Sequence, residues 1–434
     1  MEKHSNAGTV LKFIFFSLLG IFVFFVPIRV NSSVGIPIDH LIALLKKALS
    51  PFYQYIILVL SAYSVIFKIK KRKFANGSDI LFFIMAVLGF FVCLAAILKI
   101  GPEWLLKNAD SSITATGNIV CAICLSAIFV PFLVEYGLVD AVGVIFRPVM
   151  RKLFKTPGSS AVIGVSAFLG NYSTGHVVAK QLYDDGRYTE KESFIVATGF
   201  STCSIGLMLN LANYLDIMQH WGLYVISVVI VTFITTIITA RTFPASRRAE
   251  TGISGEKPAD EEYKGIGSLP KQAISAGLDR ARLAPSPYRA VFSILGRVYP
   301  IISEIAGTSA FVIACGILIA TNTRIFTALG FIAYPVLSIT GAAKAEIFTA
   351  MNAIGASILE PVTAGVVCGG QELSPVVKWV VAVVPYSAIV FFAGFIPSIL
   401  SSGIKVKIYE LIIIWLERVL IGTILAAVIA VILF

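Results

Sequence analysis

One apolar stretch of this chain, from Ser159 to Asp184, is interrupted at its middle by small and polar residues. The centre reads GNYSTGH at 170–176. Irregular backbone survives at membrane depth only where it is buried in protein or lines a wet cavity. The stretch therefore predicts a re-entrant hairpin, in which two short helices enter and leave the membrane on the same side.

A second apolar stretch, Ala343 to Gly370, is interrupted in the same way around GAS at 355–357. Two discontinuous segments in matching places are the sequence pattern of a secondary transporter's binding site. We therefore expect the two tips to meet near the middle of the membrane.

Composition places the chain in a bilayer. Apolar residues make up 57% of its 434 residues and charged ones only 14%, and the mean hydropathy is +0.88. The net charge of +11 comes in short clusters at the ends of apolar runs. This is the positive-inside pattern of a membrane protein and not a nucleic-acid surface.

The order of apolar runs predicts an all-α polytopic membrane protein with about nine transmembrane helices and two re-entrant hairpins. The first run, Val10 to Val30, lacks a small-residue cleavage pattern, so we expect it to be retained. The basic residues of Lys68–Lys73 fix a cytoplasmic loop. The N-terminus is then cytoplasmic, and we expect a multi-pass protein of a bacterial plasma membrane.

Four regions follow from these runs. They are an N-terminal three-helix region (1–112), a first repeat (113–242, hairpin 159–184), a polar cytoplasmic linker (243–289) and a second repeat (290–434, hairpin 343–370). The linker lacks an apolar period and is predicted to be disordered. Amphipathic surface helices are predicted at Val142–Lys155 and, with less charge, at Ile325–Ile339.

The two repeats align at one offset. Placing Thr189 on Ser374 gives 374 − 189 = 185, and the same offset brings Gly170 onto Gly355. Each half reads crossing, surface helix, hairpin, crossing, crossing, but the first begins outside and the second inside. Inverted repeats of this kind are typical of secondary transporters.

Two segments carry a family resemblance: GVSAFLGNYSTGHVVAKQLYDDGRYTEKE at 164–192 and GAAKAEIFTAMNAIGASILEP at 341–361. Over about Ile113–Phe434 the chain resembles the nucleoside-recognition Gate domain in its YjiH-type form. That family is similar in plan to concentrative nucleoside transporters, whose paired hairpins hold a solute and a coupling ion. The Gln-Thr-Glu hairpin signature of those transporters is absent here, so the resemblance implies the fold and leaves the solute open.

Helix N-termini at the hairpin tips present free N–H groups to a polar or anionic solute. The candidate solute-binding residues lie at or beside these tips: Asn171, Ser173, Thr174, His176, Asn210, Asn352, Ser357 and Glu360. Ser173 and Ser357 are equally placed to cap the second half-helices, and Asn210 is equally placed to join two helices by a hydrogen bond.

Glu360 is the most informative of these residues. A carboxylate in a broken membrane helix is costly and points to a role in binding or proton transfer. The spacing Ser357 to Glu360 also fits a capping box. His176 titrates near neutral pH when exposed, but a lone histidine is more often structural.

The candidate ion-coupling residues are Glu360 and the side chains at the two weakened crossings, Ser201, Thr202 and Ser387. Unwound carbonyls at such points commonly hold sodium. We expect a proton or sodium ion as the coupling species and no other cofactor or resident metal.

The sequence thus predicts an ion-coupled secondary transporter of a small polar solute, either nucleoside-like or a small organic or amino acid. Catalysis is not expected, because no nucleophile–base or metal motif occurs. Cys203 and Cys368 leave open a ferrous-iron or other metal gate, and a non-transporting sensor or scaffold on the same fold is a further alternative. Self-association into a homo-oligomer is left open.

Overall fold

A computed structural model of the chain describes residues 7–26, 28–30, 33–35, 37–71, 77–169, 172–202, 208, 211–212, 214–258 and 268–434. Helices dominate this part of the chain. The predicted all-α polytopic fold is confirmed.

The described part of the N-terminal region contains four α-helices and a small β-hairpin. The elements are α1 (Ala7–Phe25), β1 (Ile28–Val30), β2 (Ser33–Gly35), α2 (Pro37–Leu49), α3 (Tyr53–Lys71) and α4 (Gly77–Leu98). The strands pair antiparallel, with Arg29 opposite Val34. The amphipathic α2, which buries Ile38 and Ile42, was not among the three predicted helices.

The first repeat begins with a long helix and continues through short, interrupted ones. The elements are α5 (Glu103–Val134), α6 (Leu138–Val149), α7 (Ser160–Leu169), α8 (Tyr172–Asp184), α9 (Glu190–Gly199) and α10 (Trp221–Thr239). One wider helical turn, Met150–Phe154, extends α6. Ile145, Phe146 and Val149 are exposed on α6, as expected for a surface helix in contact with lipid.

The second repeat follows the same order after one additional helix, α11 (Leu269–Leu283). The elements are α12 (Pro287–Asn322), α13 (Ile325–Leu329), α14 (Tyr334–Ile339), α15 (Lys344–Ala356), α16 (Thr363–Cys368), α17 (Pro375–Ala388), α18 (Phe395–Ser402) and α19 (Ile408–Leu433). The starts of α9 and α17, Glu190 and Pro375, are 185 residues apart. Thr189 and Ser374 are the N-cap residues of these two helices.

The two repeats have opposite orientations, which can be read along α19. Glu190, at the start of α9, forms an ion pair with Arg248, and Arg248 also pairs with Glu410 at the start of α19. Trp379, near the start of α17, packs instead against Phe434 at the far end of α19, with ring centroids 5.5 Å apart. Because α9 and α17 begin at opposite ends of α19, the repeat is inverted.

Six segments of the described chain are long and apolar enough to cross a membrane. They are His40–Lys70, Ile80–Leu98, Glu103–Phe129, Met218–Thr239, Pro287–Gly316 and Ile408–Leu433. The predicted crossing Val10–Val30 corresponds to a shorter apolar helix, Ala7–Val23. The crossings predicted at 192–215 and 376–400 are interrupted, and for this reason neither is among the six.

The long helix α12 packs against α3, α4 and α5. It approaches α4 so closely that a Cβ added at Gly89 would lie 1.8 Å from the carbonyl oxygen of Gly307. Small residues permit such contacts between membrane helices. This bundle supports the interrupted helices on one side.

The prediction of a disordered linker is wrong for residues 269–283, because α11 is a helix packed on α6. Ala273, Gly277 and Ala281 recur every four residues and are its buried face. A Cβ added at Gly137 would lie 2.1 Å from the Gly277 carbonyl oxygen. The sequence analysis sought an apolar period and overlooked a period of small residues.

Candidate functional site

The first hairpin is formed by α7 and α8, which pack against each other. Its tip includes Asn171, which lies outside the described residues, as does Asn210 on the following crossing. The side chain of Thr174 is also outside the description. Ser173 and His176 lie on the first turns of α8, and both are buried.

Helix α8 packs tightly against the point where α9 ends. A Cβ added at Gly175 would lie 2.2 Å from Ser201 Oγ, so only glycine permits this approach. Ser201 and Thr202 follow the last turn of α9 and are buried. Ser201 Oγ donates a 3.5 Å hydrogen bond to the Val196 carbonyl oxygen.

On its other side α8 contacts α18. A hydrogen bond joins His176 Nδ1 and Ser398 Oγ (2.8 Å). The imidazole stands edge-on to Phe395, with centroids 4.5 Å apart. His176 is fully buried and is held by these contacts, which fits the structural role considered for a lone histidine.

Tyr172, the first residue of α8, lies over the segment between α17 and α18. Its ring is 5.2 Å from that of Phe391 in an edge-on arrangement. A Cβ added at Gly394 would lie 1.9 Å from the Tyr172 hydroxyl oxygen. We call residues 389–394 the shared segment, because the second hairpin also binds to it.

The second hairpin contacts the shared segment through its backbone. Its first helix, α15, ends at Ala356, and its second, α16, begins at Thr363. Between them, the carbonyl oxygens of Ile358 and Leu359 accept hydrogen bonds from the N–H groups of Phe392 (2.7 Å) and Ala393 (2.8 Å). Both hairpin tips therefore contact the shared segment, the first at Phe391 and Gly394 and the second at Phe392 and Ala393.

The capping box at Ser357 and Glu360 does not form. Ser357 Oγ donates to the carbonyl oxygen of Ile354 (2.6 Å), and Glu360 Oε2 accepts from the N–H of Val362 (2.8 Å). The physical reason is that α16 begins only at Thr363, six residues after Ser357. Glu360 has no ion-pair partner among the described residues.

Asn352 lies on the last turns of α15, before the tip. Its Oδ1 is buried and accepts no hydrogen bond from the described part of the chain. A buried amide oxygen without a donor is costly. Asn352 therefore retains an acceptor for a polar ligand.

Of the two crossings, one breaks where the sequence predicts and the other does not. Helix α9 ends at Gly199, before Ser201 as predicted. Helix α17 continues through Pro385 and Ser387 to Ala388, so the predicted weakness at Pro385–Ser387 is wrong by a few residues. The break falls at Ile389, whose φ of +65° is a strained value for a β-branched residue.

Sequence reasoning missed Arg418, which lies in the middle of α19 with no exposed surface. Its Nε donates to the Ser387 carbonyl oxygen (2.8 Å) and its Nη1 to Thr236 Oγ1 (3.1 Å). The signal was present, because a charged residue within an apolar span indicates function by default. Tyr172, Phe391 and Ser398 were also missed, since only the fold brings them to α8.

A pocket of about 280 Å³ lies away from the tips, at the basic end of the molecule, and includes Arg147, Arg151 and Arg187. Asp140 lines it and forms an ion pair with Arg187 (2.5 Å). Burial raises the pKa of Asp140 above its usual value, against the opposing attraction of Arg187 and Arg280.

Metal ligands are sparse in the described residues. No three His, Cys, Asp or Glu side chains come together there. The five described cysteines, Cys93, Cys121, Cys124, Cys315 and Cys368, are free thiols, and Cys203 lies outside the description. Nothing in this part of the chain favours the metal-gate alternative.

Comparison with known families finds a match within the first repeat. Residues 117–218 match the Gate family, described as nucleoside recognition. The match runs from within α5, across the first hairpin, to the turn before α10. The predicted resemblance is confirmed, and the second hairpin lies beyond the matched residues.

Two related proteins match the chain, one over almost its whole length and one over about a third, and the name of neither states an activity. An uncharacterized protein of Alkalihalophilus pseudofirmus is 25% identical over 441 residues, covering 97% of this chain and 94% of that protein. An uncharacterized protein of Methanocaldococcus jannaschii is 25% identical over 147 residues, 32% of this chain and 47% of that protein.

Among solved structures, a doubly substituted CNTnw in an outward-facing state is 16% identical, with a TM-score of 0.43 over 96% of this chain and 98% of that one. CNTnw in its intermediate 1 state is 14% identical, with a TM-score of 0.38 over 99% of this chain and 94% of that one.

Proposed function

We propose that this chain is a secondary transporter that moves a small polar solute across a bacterial plasma membrane by alternating access. The solute is nucleoside-like, or a small organic or amino acid, and it binds between the two hairpin tips. A proton or sodium ion drives its movement. The family description supports recognition of a nucleoside-like ring, and the names of the two relatives specify no particular solute.

The observation that carries this proposal is the shared segment. Two inverted hairpins contact residues 389–394, one through Tyr172 and the other through the backbone of Ile358 and Leu359. Discontinuous helices that meet in this way place free backbone groups where a solute can bind.

Glu360 supplies the charge for coupling. It stands at the second tip, one residue beyond the backbone pairing, and accepts a single hydrogen bond from the Val362 N–H. A carboxylate in a broken membrane helix without a cationic partner is costly unless a proton, an ion or a solute group joins it. It is therefore suited to bind a proton or sodium ion in one state and release it in the other.

Uptake into proteoliposomes tests the proposal. Thermal-shift screening of nucleosides, nucleobases, amino acids, dipeptides and organic acids, in sodium and in potassium salts, first identifies a ligand. Uptake of that ligand should depend on a proton or sodium gradient in the wild-type protein and should be abolished by Glu360→Gln.

The matched control is Glu346→Gln. Glu346 belongs to the same hairpin but accepts from the N–H of Ser374, away from the tip, and a glutamine oxygen can accept the same bond. Uptake should therefore be retained. Wild-type coupling in Glu360→Gln would remove Glu360 from the mechanism, and a ligand that binds without uptake in any gradient would favour a sensor.

A further inference from the structure

Arg418 presents an unusual electrostatic arrangement. It is a charged residue in the centre of the apolar helix α19 and has no exposed surface. Moving a guanidinium from water into such an environment costs several kcal/mol unless its surroundings supply compensating negative charge. A carboxylate is the usual partner.

No carboxylate of the described chain fills that role. None of the described ion pairs involves Arg418. The neighbouring Glu417 accepts a hydrogen bond from Thr242 (2.8 Å) instead. The compensation must come from uncharged groups.

Those groups are the ends of the two broken crossings. Arg418 Nε donates to the carbonyl oxygen of Ser387, the residue before the last of α17. Nη1 donates to Thr236 Oγ1, which lies 2.9 Å from the carbonyl oxygen of Gly199, the last residue of α9. Helix C-termini carry about half a negative charge each. The C-terminus of α17 contacts the guanidinium directly, and that of α9 lies beyond the Thr236 hydroxyl, which also lies 2.7 Å from the carbonyl oxygen of Thr232.

Carbonyl oxygens and a hydroxyl at the ends of broken helices are also the ligands that hold metal cations in transporters of inverted-repeat design. Here a side chain of the protein already lies among them. Ser387, predicted from the sequence as an ion-coupling side chain, contributes its carbonyl oxygen to Arg418, while its hydroxyl donates to the carbonyl oxygen of Val384.

We propose that the guanidinium of Arg418 is a permanent internal cation at the junction of α9, α10 and α17, in the place of a dissociable metal cation. The carbonyl oxygens of Gly199 and Ser387 then need no sodium ion. This inference rests on the proposed function only where uptake is measured, because the stability measurement below is independent of transport.

Chemical rescue provides the test. Arg418→Ala leaves a cavity at the carbonyl ends, and we expect the unfolding midpoint in detergent to fall by at least about 5 °C. Guanidinium at millimolar concentration should restore at least half of the loss, whereas choline at equal ionic strength should not. Arg418→Met fills the cavity without supplying a charge. Its unfolding midpoint should fall as well, and guanidinium should not restore it, because no space is left for the ion.

Arg418→Lys and Arg418→Gln serve if the alanine variant cannot be purified. The lysine variant keeps the positive charge, so its unfolding midpoint should be higher than that of the glutamine variant. Equal stability of these two variants, wild-type stability of Arg418→Met, or an alanine variant that no small cation stabilises would each overturn the proposal.

The ligand-uptake assay separates this inference from the proposed function. If guanidinium restores the stability of Arg418→Ala but the wild-type protein transports nothing, the internal cation stands and the transport function fails. If the wild-type protein transports but guanidinium does not stabilise Arg418→Ala, the transport function stands and the internal cation fails.

Discussion

The two hairpins occupy equivalent places in the repeat but are held in different ways. The first contacts its neighbours through side chains, chiefly Tyr172 and His176 against Phe391, Phe395 and Ser398. The second is paired through main-chain hydrogen bonds from Phe392 and Ala393. Side-chain contacts can be lost one at a time, whereas a backbone pairing is insensitive to most substitutions and fails where the chain itself must move.

A pair of glycines sharpens this contrast. Gly355 at the second hairpin and Gly175 at the first both lie where a helix meets a neighbour. An added Cβ at Gly355 would meet the Phe326 carbonyl oxygen at 1.8 Å, and one at Gly175 would meet the Ser201 hydroxyl at 2.2 Å. The first obstacle is backbone and the second is a side chain.

The largest effect is expected from Gly355→Ala. The Phe326 carbonyl cannot move aside without shifting α13. The variant should therefore be less stable by more than about 3 kcal/mol, even after the higher helix propensity of alanine over glycine is counted. Thermal unfolding followed by a thiol-reactive dye would measure it, since Cys93 and Cys368 are buried. Adding Phe326→Ala should not restore the lost stability, because it leaves the backbone carbonyl in place. A double variant that regained its stability would show that the obstacle is the Phe326 side chain and not its backbone.

Gly175→Ala should cost less, about 1–3 kcal/mol. Here a second substitution restores stability, because Ser201→Ala removes the hydroxyl and leaves contacts of 3.0 Å with the Cβ and 3.3 Å with the Cα of residue 201. At least half of the lost stability should return in the double variant. If it does not, the two hairpins are held alike and the contrast fails.

The bond between His176 and Ser398 should contribute about 0.5–1.5 kcal/mol. A double-mutant cycle with His176→Ala and Ser398→Ala isolates that coupling from the loss of the Phe395 contact. The same cycle applied to Ser357 and Ser398, which share no hydrogen bond in the structure, provides the reference. A coupling near zero for the first pair would leave the first hairpin dependent on aromatic packing alone.

The smallest effect concerns pH at the base of the first hairpin. Burial raises the pKa of Asp140 in the folded protein, so the native state keeps a proton that the unfolded chain has already released. The resulting stability is present at low pH and is lost as the pH rises through the raised value. Unfolding midpoints between about pH 4 and 7 should fall more for the wild-type protein than for Asp140→Asn. Equal changes of the midpoint with pH in the two proteins would show that the ion pair with Arg187 offsets the effect of burial on the pKa of Asp140.

The hairpins and their repeat could be predicted because they have local causes. Small and polar residues interrupt apolar runs at 170–176 and at 355–357, and Thr189 and Ser374 mark equivalent helix starts. The inverted orientation of the second repeat could be predicted because clusters of basic residues mark the cytoplasmic ends of the apolar runs. These features depend on chain neighbours, which a sequence displays directly.

The contacts that assemble the site could not be predicted. The pairing of Ile358 and Leu359 with Phe392 and Ala393 joins backbone groups, which carry no sequence signal. The position of the second break depends on Ile389, a residue that disfavours positive φ and adopts it only because packing imposes it. Helix α11 was missed because its buried face is made of alanine and glycine.

Residues 389–394 contact the tips of both hairpins. In the alternating-access cycle that we propose, a displacement of one tip therefore changes the surface on which the other tip rests. Opening on one side of the membrane is then coupled to closing on the opposite side through this one segment, and a leak with both sides open is avoided without a separate locking contact.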